Sequence, residues 1–177
     1  MAKSDDLARI IIGCQQGDEL CFAQLVDAYS GRLYGYFYRL TGNNDISDEL
    51  LSELYVKLVE KIGAYKGGTF EGWLFRVASN LFHDYLRSKQ RQKKLIDTQK
   101  TQVEPEVCED KRSENDRIDL LQKQLGRLDT DTKELIVLRF YSQLSFKEMA
   151  EIRSEPIGTT LAKMHRGLKK LRGLMEG

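Results

Sequence analysis

The chain has 177 residues, 41% hydrophobic and 31% charged, which suits one ordinary domain or two small ones and is not a disordered composition. Three cysteines (Cys14, Cys21 and Cys108), with no C-x-x-C or Cys/His cluster, argue against a disulfide framework or a zinc site and for a reducing compartment. A formal net charge of +1 does not announce a nucleic-acid binder, so the distribution of charge has to be read along the chain.

The opening residues, Met1-Ala2-Lys3-Ser4-Asp5-Asp6, are acidic and polar where a signal peptide is basic and then apolar. No apolar run reaches membrane-spanning length, so a cytoplasmic location without membrane insertion is expected. Leu7, Ile10, Ile11 and Cys14 then recur at helical spacing. Gly17-Asp18 restarts the pattern, and a long stripe follows through Phe22, Leu25, Tyr29, Leu33, Tyr36, Phe37 and Leu40. Thr41-Gly42-Asn43-Asn44 is a turn signal. A third helix is predicted with Leu51, Leu54, Tyr55, Leu58 and Ile62 inward. Gly63 and Gly67-Gly68 bracket a short loop, Ala64-Tyr65-Lys66. A fourth helix carries Phe70, Trp73, Leu74, Val77, Ala78, Leu81 and Tyr85 on its buried face and runs into an acid-free basic block, Arg87, Lys89, Arg91, Lys93 and Lys94.

Periodicity fails from about residue 92 to 115, where the chain is polar and acidic and contains Pro105; so long a structureless stretch argues for a linker between two domains. Ile118, Leu121, Leu125 and Leu128 resume a helix, and Asp129 is placed to cap the next, which holds Leu135, Ile136, Val137, Leu138 and Phe140. Ser145-Phe146-Lys147-Glu148 is a capping box. Pro156 opens a last helix bearing a second acid-free block, Lys163, His165, Arg166, Lys169, Lys170 and Arg172. Two short helices with a tight turn, the second one basic, follow helix-turn-helix logic; a solvated amphipathic helix is the plainer alternative.

At these residues the chain resembles the extracytoplasmic-function sigma factors. Leu144-Ser145-Phe146-Lys147-Glu148-Met149-Ala150-Glu151-Ile152, Pro156-Ile157-Gly158-Thr159 and His165-Arg166 are similar to that family's region 4. Gly17-Asp18, Phe22-Ala23-Gln24-Leu25, Arg32-Leu33-Tyr34, Arg39-Leu40-Thr41-Gly42, Phe70-Glu71-Gly72-Trp73-Leu74 and Asp84-Tyr85-Leu86-Arg87 are similar to its region 2. The resemblance covers nearly the whole chain except the linker.

The resemblance implies an all-α fold of two small helical domains joined by a flexible linker: region 2 at 1–94, an acidic linker at 95–115, and a region 4 helix-turn-helix at 116–177. It also implies the partners: core RNA polymerase, through the clamp helices of its largest subunit and, for region 4, its flap; promoter DNA; and an anti-sigma factor. Arg32, Tyr36, Glu49, Leu50, Glu53 and Lys57 are implied contacts to core polymerase. Tyr65, Lys66, Thr69, Arg76, Asn80, Asp84, Arg87 and Arg91 are implied to recognise and melt the −10 element. Physics agrees in kind, since melted DNA needs aromatic faces and cations, and stacking contributes about 1–3 kcal/mol per base. Thr159, Thr160, Lys163, His165, Arg166, Lys169 and Lys170 are implied to read the −35 element, and the linker acids to lie near the RNA exit path.

Two departures stand out. The family's turn L-G-I is here Arg153-Ser154-Glu155, and its V-K-S-R is Thr160-Leu161-Ala162-Lys163. A repressor or activator using the same helix-turn-helix without polymerase is the competing reading. An enzyme is disfavoured, because His83 and His165 are the only histidines, neither has a nucleophile or metal partner at a meaningful spacing, and no phosphate-binding glycine loop occurs. No cofactor or metal is expected.

Overall fold

The computed structural model describes residues 4–97 and 116–176, and every regular element among them is helical. Four helices form the first domain: α1 (Ser4–Gln15), α2 (Glu19–Thr41), α3 (Asn44–Lys61) and α4 (Phe70–Asp97). Local chemistry sets their ends. Asp18 caps α2, accepting from the amides of Leu20 at 2.8 Å and Cys21 at 3.1 Å. Gly42 ends α2 in the left-handed conformation, and Asn43 caps α3. Leu33 and Phe37 of α2, Leu54 and Leu58 of α3, and Leu74 and Leu81 of α4 meet in the core, each such burial contributing about 1.5–3 kcal/mol.

The α3 stripe holds at Leu54, Leu58 and Ile62, with Leu51 and Tyr55 packed against its edge, and it gains one residue that the sequence reading places outside it. Leu50, read as a polymerase contact, is 2% exposed and packs inward with Leu54 and Leu58, whereas Leu51 sits on the flank. Two adjacent leucines fit either register, and the packing of α2 on α3 decides between them.

The second domain holds α5 (Asp116–Gly126), α6 (Thr130–Ile136), a widened π turn (Val137–Tyr141), α7 (Phe146–Arg153) and α8 (Ile157–Glu176). Asp129 caps α6 through the Thr132 amide at 2.9 Å. The capping box on α7 is present in both directions: the Ser145 amide donates to Glu148 at 2.8 Å and the Glu148 amide to Ser145 Oγ at 3.2 Å. Met149 and Ala150 of α7 and Met164 of α8 are all buried, and the two helices pack on each other. Phe140 departs from expectation: it is 61% exposed, because the four consecutive apolar residues Leu135–Leu138 already fill the buried side and a helix cannot turn every position inward. Leu121 is also exposed.

The expected linker lies outside the described residues from 98 to 115, while residues 95–97 continue α4. The two domains share one buried apolar cluster. Side chains of the second domain also satisfy the end of α2: Gln122 donates to the carbonyls of Tyr38 and Arg39, and Lys133 to that of Leu40 at 3.3 Å.

Candidate nucleic-acid interface

The loop from 65 to 69 and the α4 surface behind it form one continuous strip. Arg76, Asn80, Asp84, Arg87 and Arg91 fall at spacings of three and four along α4 and are all exposed, and Lys66 and Thr69 extend the strip into the loop. Asp84 and Arg87 pair with each other. Gly67 and Gly68 adopt φ of 116° and 90°, which lets the loop double back so that the Tyr65 hydroxyl donates to the Gly68 carbonyl at 2.8 Å. Tyr65 is half-buried, its ring 5.5 Å from both Phe70 and Trp73. Phe70 is core, whereas Trp73 is half-buried at the edge of the same cluster.

Sequence reasoning missed Gln15, which anchors this loop from α1 by donating to the carbonyls of Ile62 at 3.1 Å and Tyr65 at 3.0 Å. An exposed glutamine at a helix end carries no local signal for such a role.

On α8, Thr159, His165, Arg166, Lys169 and Lys170 are exposed, and Lys170 lies 3.9 Å from Asp129. Thr160 does not belong to this face. It is fully buried and donates to Glu155 at 2.9 Å, so its hydroxyl cannot reach a base edge in this arrangement. Lys163 pairs with the same Glu155. Burial alone would raise the Glu155 pKa; the bonds from Lys163 and Thr160 outweigh it and hold the carboxyl below its usual range. The unusual turn thus replaces an apolar contact with an ionic one. Ser154, standing at the family's glycine, takes the left-handed conformation at φ 52°.

Of the implied polymerase contacts, Glu49 and Glu53 are exposed on α3 and Lys57 reaches Glu53 at 3.5 Å. Val56 and Val59, not singled out from sequence, are exposed beside them. Tyr36 and Leu50 are buried and cannot present themselves to a partner, and Arg32 donates to the Ser142 carbonyl at 2.6 Å.

The fully buried Glu134, also missed from sequence, joins the domains. It accepts from Tyr36 at 2.8 Å and Ser79 at 2.6 Å, and lies 2.9 Å from His83 Nε2 and 3.0 Å from Arg153. Burial would raise its pKa, but bonds from His83, Ser79 and Tyr36 keep the carboxyl below its usual range. Among the described residues, no group of His, Cys, Asp and Glu could hold a metal ion, and no helix is long and apolar enough to cross a membrane.

A helical bundle with an exposed cationic strip, joined to a helix-turn-helix with a basic last helix, defines a protein of the sigma-70 class. The Sigma-70 region 2 family matches residues 25–92, and the Sigma-70, region 4 family matches residues 118–171. The ECF RNA polymerase sigma-E factor of Haemophilus influenzae is 30% identical over 166 residues, 86% of each chain. The ECF RNA polymerase sigma factor SigW of Bacillus subtilis is 27% identical over 169 residues, 89% of this chain and 90% of that one. The fold is similar to that of the sigma factor RpoE from Bartonella quintana, solved in complex with the anti-sigma factor NepR: the TM-score is 0.73 at 22% identity, covering 88% of this chain and 96% of that one. It is also similar to CnrH in complex with the cytosolic domain of CnrY, with a TM-score of 0.70 at 20% identity, covering 94% and 95%. The chain belongs to the extracytoplasmic-function RNA polymerase sigma factors.

Proposed function

We propose that this protein binds core RNA polymerase in the cytoplasm and directs it to promoters, with no catalytic step and no cofactor of its own. The carrying observation is the pair of separate cationic surfaces, the α4 strip with its aromatic loop and the face of α8. A strip with aromatic rings and cations suits melted single strands, and a basic helix behind a helix-turn-helix suits duplex.

In this reading Lys66, Thr69, Arg76, Asn80, Arg87 and Arg91, with Tyr65, engage the −10 element. Thr159, His165, Arg166, Lys169 and Lys170 engage the −35 element. Glu49, Glu53 and Lys57, beside the exposed Val56 and Val59, present the α3 surface to the clamp helices of the polymerase. Relatives solved with anti-sigma factors support a partner of that kind here.

Transcription of genomic fragments by core polymerase tests the proposal. Discrete transcripts are expected only when the protein is added, and Arg76→Ala or Arg87→Ala should reduce them about tenfold or more, as loss of a phosphate or base contact predicts. No transcript above core alone would refute it.

A further inference from the structure

We propose that Gln15, the last residue of α1, is a positioning residue for promoter opening: it holds the backbone beneath Tyr65 so that this ring and the adjacent Lys66 are presented together to the unpaired strand. The inference rests on the −10 reading above and adds to it a residue of α1, a helix to which that reading gives no role.

The clamp starts from a fixed base. Ile11 and Cys14, just before Gln15, are buried in the core. The Gln16 amide closes the helix end on the Ile12 carbonyl at 3.1 Å, and Gly17 turns the chain away at φ 84°. From this base the Gln15 side-chain nitrogen donates to the carbonyls of Ile62 at 3.1 Å and Tyr65 at 3.0 Å. Both partners only accept, so the nitrogen end of the amide has to face them, and its two hydrogens serve the two bonds. The side chain therefore spans the single turn Ile62–Ala64 and grips it on both sides.

The loop has need of such a grip. Its near end is anchored, because Ile62 is buried and the Tyr65 amide donates back to the Ile62 carbonyl at 3.1 Å. Beyond Tyr65, Gly67 and Gly68 have no side chain to pack and a backbone of wide freedom. Packing from α1 does not fill the space either: a cavity of about 220 Å³ lies between Ile12 of α1 and Tyr65 and Gly67 of the loop. Gln15 reaches across beside that gap. The Tyr65 carbonyl belongs to the peptide plane that joins Tyr65 to Lys66, so pinning it sets the directions in which both side chains leave the backbone. The bond to Tyr65 is exposed, so water can replace it when it is lost; the fold survives and the placement does not.

Holoenzymes carrying Gln15→Met, Gln15→Lys or Gln15→Met/Gln16→Lys test this beside the wild type. Methionine keeps the length and helix propensity of glutamine without a donor, whereas lysine offers three donors to the two carbonyls. The double variant puts the same charge on the exposed neighbouring residue, with no donor restored at position 15. The template is a promoter that the wild-type holoenzyme transcribes, which establishes the −10 reading independently. Three steps are measured apart: assembly with core polymerase, duplex binding in the cold, and the rate at which −10 thymines become reactive to permanganate.

Gln15→Met is expected to open the promoter about tenfold more slowly, as the loss of one well-placed base stack predicts, with assembly and duplex binding unchanged. Gln15→Lys should restore most of the rate, and the double variant should stay slow. Wild-type opening by Gln15→Met would overturn the proposal. So would an equal loss in the methionine and lysine variants, a parallel loss of core assembly, or rescue by the double variant, which would assign the effect to charge. Absence of any promoter-specific transcript with the wild-type holoenzyme would instead overturn the functional reading, and the role of Gln15 with it.

Discussion

Arg153, in the turn of the helix-turn-helix, lies 3.0 Å from Glu134, an acid sealed between the two domains, and 2.9 Å from Asp131. The turn that precedes the recognition helix is therefore tied to the same carboxylate that holds the domains together. Removing one partner of a buried pair costs about 3–5 kcal/mol, and the three other donors to Glu134 place Arg153→Ala near the low end of that range. Urea unfolding measures it; a loss under about 1 kcal/mol would mean that Glu134 is hydrated in solution.

The His83–Glu134 pair makes domain closure pH-dependent. The hydrogen bond to Glu134 raises the His83 pKa above 6.5 against the opposing effect of burial; the negative charges of Glu134 and Asp131 add to the rise, and Arg153 opposes it. The stabilisation from His83 is complete below 6.5 and fades as pH rises through the raised value. Glu134 is shifted downward from 4.5, so its share fades only as pH falls through that lower value. Wild-type melting temperature should therefore decline relative to His83→Gln as pH rises from 6.5 through the raised His83 value. Parallel profiles for the two proteins would show that His83 bears no charge at the interface.

Ser154 holds a left-handed backbone where the family has glycine. A non-glycine residue there costs about 1–3 kcal/mol, partly offset by the larger chain entropy of glycine when unfolded. Ser154→Gly should stabilise the second domain by about 0.5–1 kcal/mol in thermal unfolding. A loss of stability would mean that the serine side chain makes a contact worth more than the strain.

Local features were legible in the sequence. Asp129 and the Ser145–Glu148 box both cap helices as read, because a cap needs only partners three residues away. The helical fold class was legible for a similar reason, since it depends on spacing within each helix; the residues of the α4 strip came from the family resemblance. The inward register of Leu50 was not legible, because Leu51 fits the same stripe until α2 is packed against it. Tyr36, Thr160 and Glu134 were hidden more deeply. The donors that explain Glu134 stand 98, 55 and 51 positions away, and no helical period reports them. Thr160 is withdrawn from the surface by Glu155, a turn residue that replaces an apolar one in the family pattern.

That substitution has a consequence for DNA binding. Glu155 holds Lys163, a cation of the recognition helix. Glu155→Gln can keep the Thr160 bond yet frees the Lys163 charge. The slope of log affinity against log salt for the holoenzyme on promoter duplex should steepen by about 0.9, the effect of one additional phosphate contact. An unchanged slope would mean that Lys163 faces no phosphate even when released.

The central claim is that this chain acts through core polymerase and not alone. Electrophoretic and run-off assays on the same genomic promoter fragments, with protein, core polymerase or both, test it most directly. The account predicts promoter-specific complexes and transcripts only when both are present, with weak binding by the free chain. Tight sequence-specific duplex binding by the protein alone, unchanged by core and yielding no transcript, would contradict it and indicate a helix-turn-helix regulator independent of polymerase.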